Sequence, residues 1–177
     1  MLNYSIDLVQ ELSDSQKEDI WKLLILADKE FVPPLSERNS TVQKKFDSIE
    51  SMEMTLPVAY YENLLKQSFL LVFDKERVVG FMSYIPCYEI VLPEETTITA
   101  DYISTIIVHP DYRSKGITKA LYYFLVEQKS SGNIATRTWS TNYAHLNILN
   151  SLGFEKIYTI KDDRGKGTDT VYYCKKY

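Results

Sequence analysis

The most informative part of the sequence is Val108-His-Pro-Asp-Tyr-Arg-Ser-Lys-Gly-Ile-Thr-Lys-Ala-Leu121. The apolar run from Ile98 to Val108 predicts a long strand before it, and the apolar spacing that follows predicts a helix from Ser114 to Gln128. The free amides of a helix's first turn point along its axis, and the helix dipole adds about half a positive charge there. Gly116 removes a Cβ at this point, so the stretch predicts a phosphate or diphosphate site to which Arg113 and Lys115 bring charge.

Two common phosphate-binding motifs do not account for this site. The sequence contains neither the GxxxxGK loop followed by Ser or Thr, nor a GxGxxG fingerprint after its first strand. Gly165-Lys-Gly-Thr168 has similar glycines, but it lies between two predicted strands and no helix follows it. We therefore interpret it as a hairpin turn.

A second helix follows the first. Ile134 to Trp139 predicts a strand, and Asn142 to Leu152 predicts a helix whose inward positions include Ile148 and Leu149. Gly153 stands where a glycine commonly ends a helix, and Phe154 follows it. The central part of the chain is thus strand, helix, strand, helix.

These two segments together resemble one family. Arg113-Ser-Lys-Gly-Ile-Thr118 resembles the diphosphate-binding motif of the GNAT superfamily of N-acetyltransferases. That motif is Q/R-x-x-G-x-G/A, so Arg113 and Gly116 match it. Thr118 departs from the small residue of that pattern. Asn142 to Phe154 is similar to the family's N-x-x-A-x-x-x-Y-x-x-x-G-F segment, with Leu149 at the position of the tyrosine. The resemblance covers Phe69 to Phe154.

The resemblance implies an enzyme that transfers an acetyl group from acetyl-CoA, its co-substrate, to an amine by direct attack, without a metal. It implies that the strand Ile103 to Val108 splays from Ile134 to Trp139 and that the Val108 backbone amide polarises the thioester. The cofactor-binding residues that it implies are Ile106, Ile107, Val108, Arg113, Ser114, Lys115, Gly116, Ile117, Thr118 and Asn142.

The rest of the chain predicts the fold around this segment. Its predicted elements are helices at Ser13–Lys29 and Tyr60–Gln67, a loop or short helices to Met54, hairpin strands at Phe69–Phe73 and Val78–Ile85, a connection from Cys87 to Thr97 after Pro86, and strands at Glu155–Lys161 and Thr168–Lys175. This order predicts an α/β fold, a GNAT-like mixed, mostly antiparallel sheet of six to seven strands flanked by helices on both faces. We expect residues 1–177 to form a single N-acetyltransferase domain.

Composition narrows the function. A formal net charge of −4 over 177 residues argues against nucleic-acid binding. The two cysteines, Cys87 and Cys174, form no CxxC motif, and no signal peptide or run of about eighteen apolar residues occurs. We therefore expect a cytoplasmic protein without membrane partners. The expected partner is a small-molecule or peptide amine, and a homodimer is compatible with the family.

Candidate catalytic groups are few. An alkylamine has a pKa of about 10, so a base or a water chain must take its proton. Strand alternation predicts that Tyr102 and Ser104 share a face with Ile106 and Val108, and Tyr102 is either a core aromatic or an acceptor-site residue. The carboxylates that might reach the acceptor, Asp101, Glu89 and Glu62, are interpreted first as solvated surface groups.

The general acid is unknown, because the resemblance places Leu149 where the family often has tyrosine. Tyr143 and His145 share the predicted helix, and a structural or exposed role is favoured for both. Thiolate can also leave unassisted, since the pKa of a thiol is about 8.5. Two alternatives therefore stay open: a non-catalytic acyl-CoA-binding or sensing domain, and an unrelated phosphate-binding module.

Overall fold

A seven-stranded sheet organises the described residues of the computed structural model, which are 4–43, 45–46, 56–93 and 96–177. The strands are β1 (Ser5–Val9), β2 (Ser68–Asp74), β3 (Arg77–Val91), β4 (Thr97–Val108), β5 (Asn133–Trp139), β6 (Glu155–Ile160) and β7 (Thr170–Lys176). The α-helices are α1 (Asp14–Ala27), α2 (Val58–Leu64), α3 (Ile117–Gln128) and α4 (Tyr143–Ser151). Short 3-10 turns occupy Asp28–Glu30, Leu35–Glu37 and Pro110–Tyr112.

The sheet is mixed but mostly antiparallel. Its strand order is β1-β2-β3-β4-β5-β7-β6, and only β4 and β5 run parallel. The C-terminal strand β7 inserts between β5 and β6. The predicted fold class is therefore confirmed.

Helices cover both faces of the sheet. On one face α3 and α4 pack a core that includes Leu121, Tyr122 and Leu149. On the other face α1 and α2 pack a second core that includes Leu24 and Tyr60. We call these the α3/α4 face and the α1/α2 face. None of the helices in the described ranges has both the length and the apolar character that crossing a membrane requires.

Several predicted boundaries need correction. Strand β3 does not end before Pro86 but continues to Val91, because a bulge accommodates the proline and Cys87, whose φ is 50°. The Cys87 amide donates to the Asp101 carboxylate at 3.0 Å instead of to the ladder. The helix predicted from Ser114 begins at Ile117, since Ser114 has a left-handed backbone with φ 59°. Part of the loop predicted to reach Met54, residues 44 and 47–55, lies outside the described residues.

A bulge in β4 overturns the predicted alternation. Ser83 pairs with Thr105 and Tyr84 with Ile103, so Ser104 is an extra residue in the strand. Tyr102 therefore does not share a face with Ile106 and Val108, which belong to the core on the α3/α4 face, whereas Tyr102 packs in a separate cluster with Ile90, Ala100 and Ala135.

Candidate functional site

The two parallel strands at the centre of the sheet separate soon after they meet. Strands β4 and β5 pair only from Asp101–Ile103 to Ile134–Thr136. The Thr136 hydroxyl donates to the Ile103 carbonyl at 3.0 Å and closes the narrow end of the gap. Beyond it lies a cavity of about 280 Å³, which we call the central cleft. The predicted splay of these strands is therefore present.

Most of the predicted cofactor residues line the central cleft, and the others adjoin it. Six of them line it: Ile106, Ile107, Val108, Arg113, Thr118 and Asn142. Ser114, Lys115, Gly116 and Ile117 adjoin it along the chain, and the Ile117 side chain is buried in the core, so only its backbone can face a ligand. Residues that the sequence did not indicate, Glu30, Phe31, Arg137 and Trp139, line the cleft from the α1/α2 side.

The β4 residues differ in whether their backbone amide points toward β3 or into the gap between β4 and β5. His109 donates its amide to Val79 of β3 at 2.9 Å, while the Val108 carbonyl accepts from Arg113 Nε at 2.9 Å on the opposite edge of the strand. Because amides alternate along a strand, those of Val108 and Ile106 point into the gap. Ile107 points its amide toward β3 and packs its side chain with the α1 core, so it contributes no backbone donor to the gap.

The loop before α3 presents a row of free amides. Positive φ angles at Ser114 (59°) and Gly116 (78°) turn the chain, and the first bond into the helix is from Ala120 N to Gly116 O at 3.0 Å. Within the described part of the chain, the amides from Ser114 to Lys119 have no acceptor. A Cβ added at Gly116 meets no atom within 4 Å, so the space beside it is open. Consecutive amides of this kind form an anion-binding concavity.

Arg113 and Lys115, which were predicted to bring charge to the anion site, bond to other protein groups instead. Arg113 forms an ion pair with Glu30 at 3.0 Å, in addition to its bond with the Val108 carbonyl. The Lys115 ammonium donates to the Asp111 carbonyl and lies 5.3 Å from the centre of the Tyr112 ring. Arg113 therefore ties the loop to the end of β4 and to the turn after α1. The donors left for an anion are backbone amides.

Asn142 stands at the start of α4 and caps it. Its side-chain oxygen accepts from the His145 backbone amide at 3.4 Å, and its side-chain nitrogen Nδ2 donates to the Thr138 hydroxyl at 3.0 Å. These bonds fix the helix against the end of β5 at the central cleft.

A tyrosine on α3 reaches the helix where the family's tyrosine is missing. Leu149 is fully buried in the core, and Tyr143 is 69% exposed. The buried Tyr122 hydroxyl lies 2.8 Å from His145 Nε2, and His145 lines the cleft. Burial lowers the pKa of His145 to about 4 and raises the pKa of Tyr122, so both are neutral at pH 7. The sequence gives no local signal of this pair, since two helices supply it.

Tyr102 and the candidate carboxylates lie away from the central cleft or are engaged. Tyr102 is buried, stacks on Tyr88 at 5.1 Å, and has a pKa raised by burial. Asp101 was expected at the surface, but it is fully buried and accepts from the amides of Cys87, Ser130 and Ser131. Glu62 and Glu89 are exposed. This placement favours the core-aromatic interpretation of Tyr102.

Comparison with known proteins places the chain in a family. A family model described as the acetyltransferase (GNAT) family matches residues 36–154, more than half of the chain. A search of the curated proteins finds no match.

Solved structures share the fold at low sequence identity. An aminoglycoside 6'-N-acetyltransferase complexed with coenzyme A is 14% identical, with a TM-score of 0.66 over 97% of this chain and 96% of that chain. The yncA protein of Salmonella typhimurium, with its cofactor acetyl-CoA, is 16% identical, with a TM-score of 0.63 over 98% and 93%. A GNAT acetyltransferase from Bacillus cereus is 17% identical, with a TM-score of 0.58 over 98% and 97%.

Proposed function

The chain belongs to the GNAT acetyltransferase family, and from that premise we propose that it transfers the acetyl group of acetyl-CoA to the amine of a small molecule or peptide. The observation that carries the proposal is the gap between β4 and β5, into which the amides of Ile106 and Val108 point. The free amides from Ser114 to Lys119 stand beside the same gap. A thioester arm and a diphosphate have matching donors in these two places.

Backbone groups would make most of the contacts with the cofactor. The amides from Ser114 to Lys119 would hold the diphosphate, with Gly116 leaving space for it. The edges of β4 and β5, together with Asn142, would hold the pantetheine arm in the gap. When bound, acetyl-CoA supplies the activated acetyl group.

The protein's contribution to the chemistry is orientation and charge stabilisation. We expect the Val108 amide to donate to the thioester oxygen, where negative charge develops as the amine nitrogen bonds to the carbonyl carbon. The carbon–sulfur bond then breaks with its electron pair going to sulfur. The amine loses one proton and the thiolate gains one. With Tyr102 buried and Asp101 occupied by three amides, we expect the amine proton to leave through water in the central cleft.

We propose that the Tyr122–His145 pair relays a proton to the departing thiolate, in place of the tyrosine missing at Leu149, and regains it from the water that took up the amine's proton. His145 lines the central cleft and is held by the Tyr122 hydroxyl at 2.8 Å. Because thiolate is already a fair leaving group, we expect Tyr122→Phe and His145→Gln to lower kcat by about 10-fold. Unchanged KM for acetyl-CoA with lower kcat would support this role, and unchanged kcat in both variants would oppose it.

Release of free thiol from acetyl-CoA tests the proposed activity. The assay needs a panel of amino acids, polyamines, aminoglycosides and peptides, with the acetylated product identified by mass spectrometry. We expect thiol release that depends on both the amine and acetyl-CoA. CoA binding without release for any amine would favour the second candidate, a non-catalytic acyl-CoA sensor, for which the buried Leu149 is the supporting observation. Absence of CoA binding would contradict both.

A further inference from the structure

Three arginines converge on one aromatic ring at the α1/α2 face. The guanidinium carbons of Arg38, Arg137 and Arg164 lie 5.3, 5.4 and 4.7 Å from the centre of the Phe46 ring. They come from the loop after α1, from β5 and from the β6–β7 connection. We call this group the arginine cluster.

Backbone and hydroxyl groups hold two of these arginines in place. The Val32 carbonyl accepts from Arg38 at 3.2 Å and from Arg164 at 2.7 Å. Arg38 also donates to the Pro33 carbonyl at 3.0 Å, and Arg164 donates to the Thr170 hydroxyl at 2.8 Å. The cluster is thus a built arrangement, not a set of loose surface side chains.

The cluster concentrates positive charge away from water. Arg38 and Arg164 are each 7% exposed, and no carboxylate of the described residues lies within ion-pair distance of any of the three guanidiniums. Burial first, and then the neighbouring guanidiniums, lower the pKa of Arg164. Arginine nevertheless stays charged at neutral pH. Like charges repel, and an anion beside the cluster relieves that repulsion.

Arg137 connects the cluster to the reaction site. It lines the central cleft and also a second cavity of about 130 Å³ on the α1/α2 face, whose lining includes Tyr102, Tyr172 and the exposed Glu89. In the described ranges the only protein acceptor of its guanidinium is the Tyr172 hydroxyl at 3.3 Å, so most of the guanidinium donors remain available. A planar guanidinium with free donors matches a carboxylate in bidentate geometry.

The acceptor amine should reach the thioester carbonyl from the α1/α2 face. The helices α3 and α4, which carry the diphosphate loop and the Asn142 cap, close the gap from the α3/α4 face. An amine that attacks a carbonyl held in the gap must therefore arrive from the opposite face. Trp139 and Phe31, in contact at 5.6 Å between ring centres, line that entrance together with Arg137.

We propose that the acceptor is a primary amine that also bears an anionic group, with a carboxylate bound by Arg137 and the arginine cluster, as in a free amino acid. This inference rests on the proposed function, since it names the acceptor of that reaction. Arg137 would contact the carboxylate, whereas Arg38 and Arg164 would position it through the field of their charges. A polycationic amine would be repelled at this entrance.

Matched acceptors test the proposal. Leucine, leucinamide and isoamylamine share a side chain and differ at the carboxyl position, and methionine and phenylalanine give equivalent sets. We expect kcat/KM to favour the carboxylate by about 100-fold or more over the amide and the decarboxylated amine, with spermidine and kanamycin poorer still. Arg137→Gln should bring the ratio near one, and Arg137→Lys should restore part of it, because lysine keeps the charge without the fork.

Binding measurements separate this proposal from the proposed function. Titration calorimetry of N-acetylleucine and its methyl ester into the CoA-loaded protein reports on anion recognition without turnover. If kcat/KM is the same with and without the carboxylate, or is higher for polycationic amines, the inference is overturned while acetyl transfer is confirmed. Selective binding of N-acetylleucine without turnover of any amine supports the anion site while acetyl transfer fails. Equal binding of acid and ester overturns the inference.

The chain's own carboxylates provide the internal control. Asp47, Glu50 and Glu53 follow Phe46 in the sequence and lie outside the described residues. We expect the same carboxylate preference in the parent protein and in the triple variant Asp47→Asn, Glu50→Gln, Glu53→Gln. A preference that appears only in the triple variant means that these residues neutralise the cluster, and it overturns the inference.

Discussion

The loop from Arg113 to Lys119 and the arginine cluster are the two anion sites that we propose, and they differ in composition. The loop uses exposed backbone amides, and its two cations, Arg113 and Lys115, bond to other protein groups. The cluster uses guanidiniums that are largely buried around Phe46. A continuous piece of chain makes the first, whereas three distant segments make the second.

The two regions should respond differently to mutation. Backbone donors remain when side chains change, so the loop is sensitive mainly to groups that occupy the space beside it. The cluster depends on the identity of each arginine and on water being excluded, so single side-chain changes alter it directly. The two regions should therefore be separable by experiment.

The largest expected effect tests the loop. We expect Gly116→Glu to weaken CoA binding by more than about 100-fold, because a carboxylate would stand among the amides that hold the diphosphate. Space beside Gly116 is open, so the side chain itself causes no clash in the free protein. Titration calorimetry with CoA measures the loss.

Gly167→Glu is the matched control for this variant. Gly167 has a φ of 79°, close to the 78° of Gly116, and no atom within 4 Å of its added Cβ. Both variants therefore carry similar backbone strain, but only one places charge at the loop. Equal CoA affinity in the two variants would refute the assignment of the Ser114–Lys119 amides.

An intermediate effect distinguishes the two faces by pH. His145, on the α3/α4 face, has a folded pKa of about 4, so between pH 6.5 and pH 4 the unfolded chain binds a proton that the folded chain does not. The free energy of unfolding should then fall by about 2 kcal/mol from pH 7 to pH 4.5 through this residue. The arginines of the α1/α2 face stay charged across that range.

Urea unfolding at pH 7 and pH 4.5, for the parent protein and for His145→Gln, isolates the contribution of this histidine. Other groups titrate equally in both proteins, so the difference between the two pH dependences is the relevant quantity. Identical pH dependence would show that His145 is not held neutral by burial.

Features formed by residues close together in the sequence could be predicted, whereas features formed by distant residues could not. The strands and helices around Val108 to Leu121 were predicted because their signals are local: apolar periodicity, a proline that closes a strand and a glycine before a helix. The diphosphate motif is local for the same reason. Its side chains were less well predicted, because the ion pair that engages Arg113 comes from Glu30.

Features formed by distant segments were missed. The extra residue Ser104 in β4 leaves no mark on the apolar pattern, yet it moves Tyr102 to a different face from Ile106. The Tyr122–His145 pair and the arginine cluster need the folded sheet to bring their members together. Sequence reasoning therefore predicted a cofactor site in the loop before α3, but it did not predict the groups that the fold brings together on the opposite face.

The smallest expected effect concerns the α1/α2 face near the bulge. The buried Tyr60 hydroxyl lies 2.6 Å from Thr105 Oγ1 on β4. Tyr60→Phe should lower the free energy of unfolding by about 1 kcal/mol, since it leaves the threonine hydroxyl with a weaker partner. CoA affinity should not change, because Tyr60 does not line the central cleft.

A double-mutant cycle with Thr105→Val sharpens this test. Removing both hydroxyls should recover part of the stability that the first substitution loses, because no buried polar group is then left without its partner. Strict additivity of the two losses would argue against the bond. A loss of CoA affinity in Tyr60→Phe would show that the two faces are not independent.

Amide hydrogen exchange, measured residue by residue by NMR with and without CoA, shows which backbone amides CoA contacts. We expect CoA to slow exchange at Ile106 and Val108 and from Ser114 to Lys119, where no protein acceptor is present in the described structure, and to leave the amides around Arg38 and Arg164 unchanged. Protection at the arginine cluster without protection from Ser114 to Lys119 would contradict this expectation, because CoA would then bind at the opposite face.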